Sequence, residues 1–204
     1  MITIINYGLG NIKAIQNVFN KISVPSRVVS NINEFDGAEK IVLPGVGAFD
    51  YAMQKLINSG MYDKLNELVL VKEVPVIGIC VGMQMMAKSS DEGKLEGLGW
   101  IDASVKKFDE TKLDNKIQLP HMGWNDVNPS KTNPLFIGLE QNARFYFLHS
   151  YYISCNQNEQ ALATSEYPEN FVCAVNHKNI YGVQFHPEKS HHFGVNLLHN
   201  FAKI

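Results

Sequence analysis

The chain has 204 residues, 45% of them hydrophobic, and a formal net charge of -2. That length suits one domain with a sizeable core, and the near-neutral balance, without a basic stripe, argues against nucleic acid or an acidic membrane surface as partner. No apolar window reaches the length of a membrane span, MITIINYGLG lacks the features of a signal peptide, and three scattered cysteines suit free thiols in a reducing cytoplasm.

In chain order, ITIIN (2–6) reads as a strand. Ile12, Ile15, Phe19 and Ile22 then recur at helical spacing. RVVS (27–30) and KIVLP (40–44) are the next strands, the second ending in the glycine loop PGVGA. Helical stretches run from about Phe49 to Leu56 and from Tyr62 to Val71. PVIGI (75–79) is the fourth strand, and VGMQMMAKS after it predicts a helix, being poor in β-branched residues. In the second half, GWIDASVKKF, WNDVNP, ARFYFLHSYYI, ALATSEY, FVCAVNH and IYGVQF are strand-like pieces that read as antiparallel additions. A last helix runs from about Gly194 to Lys203. The fold expected is a three-layer α/β domain spanning 1–204. Its central, mostly parallel, flavodoxin-like sheet carries helices on both faces, with antiparallel additions making it mixed.

Residues 78–82 read GICVG. A strand that ends in G-x-C-x-G and passes into a helix matches a nucleophile elbow. The turn requires small neighbours, Cys80 is lifted out of the sheet, and the following helix dipole favours a thiolate. The Val81 N–H then points at an oxyanion formed by attack at Cys80. A small core cysteine is the plain alternative. A thiol nucleophile needs a base, and His186 follows the strand YGVQF. Pro187 is expected to keep the backbone extended, so that His186 and Glu188, two apart, leave on the same side. Glu188 then orients the ring, completing a Cys80–His186–Glu188 triad. Gly47, in the loop beside the fourth strand, reads as the second oxyanion donor or as part of a simple turn.

Three features carry less. NYGLGN (6–11) begins like a dinucleotide fingerprint, but Lys13 stands where the third glycine belongs, so it reads as a tight turn. His186, His191 and His192 lack the spacing of a metal site, and a solvated helix start accounts for the last two. Cys155 and Cys173 read as core. No metal and no organic cofactor is expected.

With GICVGMQ and FHPEKS in hand, the chain resembles the class I (triad) glutamine amidotransferases. NYGLGN, LPGVGAF, EGLGW, LPHMGWN and YFLHSYY are similar, in order, to landmarks of one branch, the glutaminase subunits of imidazole glycerol phosphate synthase in histidine biosynthesis. The resemblance spans essentially the whole chain. It implies that Cys80 forms a glutamyl thioester with His186 and Glu188, that Gly47 and Val81 serve the oxyanion, and that Gln84, Glu92, Ser150 and Tyr151 bind L-glutamine. It implies further that His121, Met122, Trp124, Asn125 and Lys189 lie near a (β/α)8-barrel cyclase subunit that receives the ammonia. An oxyanion hole around Val46–Gly47 that improves on docking is expected with it. Asn6, where many relatives have Asp, and the SSDEGKLEGLGWID stretch resemble paralogues that feed ammonia to surface-polysaccharide enzymes. A cysteine hydrolase of the peptidase or deglycase type, and a catalytically silent regulatory module, are the remaining alternatives.

Overall fold

The computed structural model describes residues 1–112 and 118–204. Its elements are β1 (Ile2–Ile5), α1 (Ile12–Lys21), β2 (Ser26–Val29), β3 (Lys40–Gly45), α2 (Phe49–Asn58), α3 (Tyr62–Asn66), β4 (Val76–Cys80) and α4 (Val81–Gln84). The second half adds β5 (Ser89–Ser90), β6 (Ala103–Lys107), β7 (His121–Pro129), β8 (Ala143–His149), β9 (Tyr151–Cys155), β10 (Ala161–Glu166), β11 (Asn170–His177), β12 (Ile180–Val183) and α5 (His191–Lys203).

Five strands run parallel at the centre in the order β2-β1-β3-β4-β12. They are buried on both faces, which is why ITII, IVL and VIGI read as continuous apolar runs rather than as alternation. The crossovers β1–α1–β2 and β3–α2–α3–β4 travel in opposite directions along the sheet. Right-handed connections therefore place α1 and α2 on opposite faces, and α5 packs beside α1. From β12 the sheet continues antiparallel through β11, β10, β7 and β8, while β9 pairs with β11 and β6. The result is the expected α/β fold with a mixed sheet.

Three local expectations are corrected. IYGVQF is not an antiparallel addition: β12 lies parallel to β4, with Gly182 opposite Gly78. The helix after Cys80 stops at Gln84, because the carbonyls that would continue it are taken by backbone donors of residues 98–101. Leu98 N–H donates to Met85 O at 2.7 Å, Ile101 N–H to Met86 O at 2.9 Å, and Gly99 N–H to Ala87 O at 3.1 Å. The last helix begins three residues earlier than expected, at His191, with His191 and His192 exposed at its solvated start.

The turn from β3 shows how the site's edge is built. Gly45 lies opposite Cys80 in the β3–β4 register. The carboxyl ends of β1, β3, β4 and β12 thus open on one edge, where ligands of such sheets bind.

Candidate active site

Cys80 ends β4 with φ 55° and ψ -115°, a left-handed conformation that costs a non-glycine residue on the order of 1–3 kcal/mol. Its neighbours must be glycine because the turn is packed against β3. A Cβ on Gly82 would overlap the Leu43 carbonyl oxygen, one on Gly45 would overlap the Gly82 nitrogen, and one on Gly78 would lie 2.7 Å from Gly82 O. The elbow is therefore a steric consequence of G-x-C-x-G lying beside PG. The expected helix dipole shrinks to the free N–H groups of a single turn, since α4 has four residues.

The Pro187–Lys189 segment, expected to stay extended because of Pro187, is instead a 3-10 turn. Proline suits the first position of such a turn, where its φ is right and no N–H is needed. His186 and Glu188 still meet, with His186 Nδ1 and Glu188 Oε1 2.8 Å apart. Both side chains are buried, at 4% and 1% exposure. Burial by itself pulls the His186 imidazole down, but hydrogen bonding and charge from Cys80 and Glu188 outweigh it and push it up to about 10. Burial raises the Glu188 carboxyl, and its bonds to His186 and Asn11 bring it below the ordinary carboxylate range.

Asn11 is a residue that sequence reasoning missed. Its Nδ2 donates to Glu188 Oε1 at 2.7 Å. NYGLGN is thus more than a turn. Tyr7 Oη donates to Pro44 O at 2.7 Å, and a Cβ on Gly10 would lie 2.6 Å from the Pro44 side chain, so the loop is pressed onto PGVGA. The available signal was topological: this loop follows a central strand at the carboxyl edge of the sheet.

A cavity of about 320 Å³ opens above Cys80. Of the residues expected here, Gly47, Cys80, Val81, Gln84, Glu92, Ser150, Tyr151, His186 and Lys189 line it; Glu188 stands behind His186. Gly47 has φ +87°. Glu92 is held by Phe49 N–H, which donates to Oε2 at 2.9 Å at the start of α2. Ser150 sits where the chain leaves its pairing with β7 and joins β6. Gln84 Nε2 donates to Tyr151 O at 3.0 Å and to Gln184 Oε1 at 3.1 Å, so both hydrogens are engaged and Oε1 remains for a ligand. Gln184, fully buried, donates from Nε2 to Cys80 Sγ at 3.7 Å and was not anticipated.

The residues expected at a partner face separate by burial. Met122 is 65% and Trp124 38% exposed on β7, and Trp124 stacks on His191 with centroids 5.2 Å apart. Asn125 is half-buried and Lys189 exposed, its Nζ 5.6 Å from the Tyr146 ring centroid. His121 is buried between Phe147 and Tyr167, so it cannot present itself to a partner. Its Nδ1 lies 3.0 Å from His149 Nε2, and His149 Nδ1 lies 2.8 Å from Tyr151 O. Burial pushes His121 down to about 4, and burial together with His121 pushes His149 down to about 3. Cys173 is core, as expected, but Cys155 is half-buried, its thiol pushed up to about 11 by burial and by Asp102. Among the described residues no group of three His, Cys, Asp or Glu is placed to hold a metal ion, and no helix is long and apolar enough to cross a membrane.

Comparison with known proteins identifies the family. Residues 3–204 match the family model "Glutamine amidotransferase class-I". The chain is 51% identical over 204 residues to the imidazole glycerol phosphate synthase subunit HisH of Leptospira borgpetersenii, covering 100% of both. It is 53% identical, over the same full length, to the protein of that name from Bdellovibrio bacteriovorus. A solved glutamine amidotransferase shares the fold at a TM-score of 0.74 and 14% identity, covering 100% of this chain and 99% of that one. The chain belongs to the class I glutamine amidotransferases.

Proposed function

We propose that the chain, acting as one domain over 1–204, hydrolyses L-glutamine to glutamate and ammonia. The ammonia passes to a (β/α)8-barrel cyclase that forms imidazole glycerol phosphate in histidine biosynthesis. The observation that carries the reading is Cys80, strained at the elbow, beside the buried His186–Glu188 pair on the floor of the cavity. The names of the full-length relatives support the histidine acceptor over a polysaccharide one. The intact triad favours an amidotransferase over a silent module, and the family match favours it over a peptidase or deglycase. Three free cysteines suit a reducing cytoplasm.

In this mechanism His186 takes the thiol proton, and Cys80 Sγ attacks the side-chain amide carbon. The N–H groups of Val81 and Gly47 receive the oxyanion, and His186 returns the proton to the departing ammonia. Water, deprotonated by His186, then releases glutamate from the thioester. Gln84 Oε1, an acceptor only, suits the substrate's α-ammonium, and Glu92, Ser150 and Tyr151 complete the amino-acid end. Met122, Trp124 and Lys189 supply the surface for the cyclase, with Asn125 at its edge. Docking matters because ammonia released into water is protonated and lost to the acceptor reaction.

The test is glutamate release from glutamine by the chain alone and with a barrel cyclase from the histidine pathway, with and without the cyclase's ribonucleotide. Strong stimulation by the cyclase supports the reading. Stimulation only by a barrel from a polysaccharide system would keep the chemistry and change the acceptor, and no release under any condition would overturn both.

A further inference from the structure

We infer that Gln184 holds the nucleophile, donating a hydrogen bond to Cys80 Sγ whose direction is fixed by the Tyr151 carbonyl. A carboxamide can be turned over, so its polarity has to come from its neighbours. Here the origin is an atom that can only accept. Tyr151 O lies 3.0 Å from one end of the Gln84 carboxamide, which must therefore be the nitrogen. That nitrogen also lies 3.1 Å from Gln184, which must meet it with oxygen. The remaining end of Gln184 is then –NH2, and it faces Cys80 Sγ at 3.7 Å.

The other arm of this carbonyl obeys the same logic. His149 Nδ1 can only donate to Tyr151 O, at 2.8 Å, so its Nε2 accepts from His121 Nδ1 at 3.0 Å. His121 Nε2 then accepts from Asn125 Nδ2 at 3.3 Å. Every polar contact along both arms is of one determined sense. Gln184 is fully buried, with its backbone N–H donating to Cys173 O at 2.8 Å, so the side chain has no freedom to swing away.

A neutral donor aimed at sulfur favours thiolate over thiol, because the charged acceptor makes the stronger bond. Gln184 therefore raises the fraction of Cys80 that is ready to attack and holds Sγ in line, while His186 still carries the proton. Its part in turnover rests on the glutaminase reading. Its effect on the sulfur does not.

The experiment is alkylation of the full-length chain by iodoacetamide across pH, following the Cys80 peptide by mass spectrometry. Gln184→Met removes the donor at nearly constant volume. The Cys80 alkylation midpoint is expected to rise by about one pH unit, equivalent to about 1.4 kcal/mol of lost thiolate stabilisation. With glutamine, kcat is expected to fall about tenfold while KM changes less than about twofold, a split that a loosened substrate pocket would not give. Gln184→Asn, one methylene short of reaching both Gln84 and Sγ, gives the same shift and serves if the methionine variant does not fold. An unmoved midpoint in either folded variant overturns the inference. A shifted midpoint in a chain that never releases glutamate would leave the donor in place and count against the glutaminase reading alone.

Discussion

Asn11 and Glu188 are 177 residues apart in the chain and 2.7 Å apart in the fold. The bond links the loop after β1 to the turn after β12, the two outer flanks of the edge that holds Cys80. Glu188 Oε1 receives both Asn11 Nδ2 and His186 Nδ1, whereas Oε2 is buried without a partner among the described residues. Asn11 thus helps decide which oxygen faces the imidazole. Replacing Asn11 by Leu is expected to lower kcat about tenfold, with KM little changed and the fold intact. Steady-state glutaminase kinetics of the complex check this, and unchanged kcat would remove Asn11 from the orienting role.

The strain at Cys80 predicts an inequality between two dead enzymes. Cys80→Ala and Cys80→Gly both remove the sulfur and are expected to lose more than about a thousandfold in glutamate release. Only glycine accepts φ 55° and ψ -115° without cost. Cys80→Gly is expected to be more stable than Cys80→Ala by about 1 kcal/mol. Urea unfolding of the pair measures it, and alanine equal to or above glycine would mean that the elbow is unstrained.

Two groups of histidines predict a stability maximum near pH 6.5. His121 and His149 are depressed to about 4 and about 3, so the stability they contribute is whole above pH 6.5 and is lost as pH falls through those values. His186 is raised to about 10, so its contribution is whole below pH 6.5 and is lost as pH rises through about 10. The acid arm for His121 alone amounts to about 3 kcal/mol. Urea midpoints at pH 4.5, 6.5 and 9.5 should trace a peak. A midpoint unchanged between pH 6.5 and 4.5 would contradict the buried neutral imidazole pair.

Trp124 is 38% exposed and braced by His191, which suits it to anchor a partner. Trp124→Ala is expected to weaken cyclase binding at least about tenfold. It should leave the rate of Cys80 alkylation in the free chain as it was, since Trp124 does not line the cavity. Calorimetric titration with the cyclase reads the first and mass spectrometry the second. Undiminished affinity would place the docking surface elsewhere.

What the chain discloses on its face divides along a physical line. Cys80, His186 and Glu188 are legible because their constraints are local: glycines two residues either side of the cysteine, and a carboxylate two residues from the histidine. The parallel centre is legible from its uninterrupted apolar strands. Asn11, His149 and Gln184 are not legible, because each is joined to a side chain distant in sequence, Asn11 to Glu188, His149 to His121 and Gln184 to Gln84. Gln184 reaches Gln84 over a separation of 100 residues, and no spacing rule records such a pair. The direction of β12 is equally hidden, since alternation and apolar runs look alike read either way. The short α4 has a third cause: its propensity is helical, but backbone donors from residues 98–101 compete for the carbonyls and win.

The two arms that meet at the Tyr151 carbonyl have a consequence for proton conduction. A relay carries protons only if each member can receive on one side and release on the other in the same sense. Here Gln84 Nε2 and His149 Nδ1 both donate to one oxygen, so the path ends there from either direction. With the inferred bond from Gln184 to the sulfur, the network is closed to charge between the outer strand and the thiol. On the proposed mechanism, the proton released at Cys80 is thereby left with His186 as its carrier, where the departing ammonia needs it.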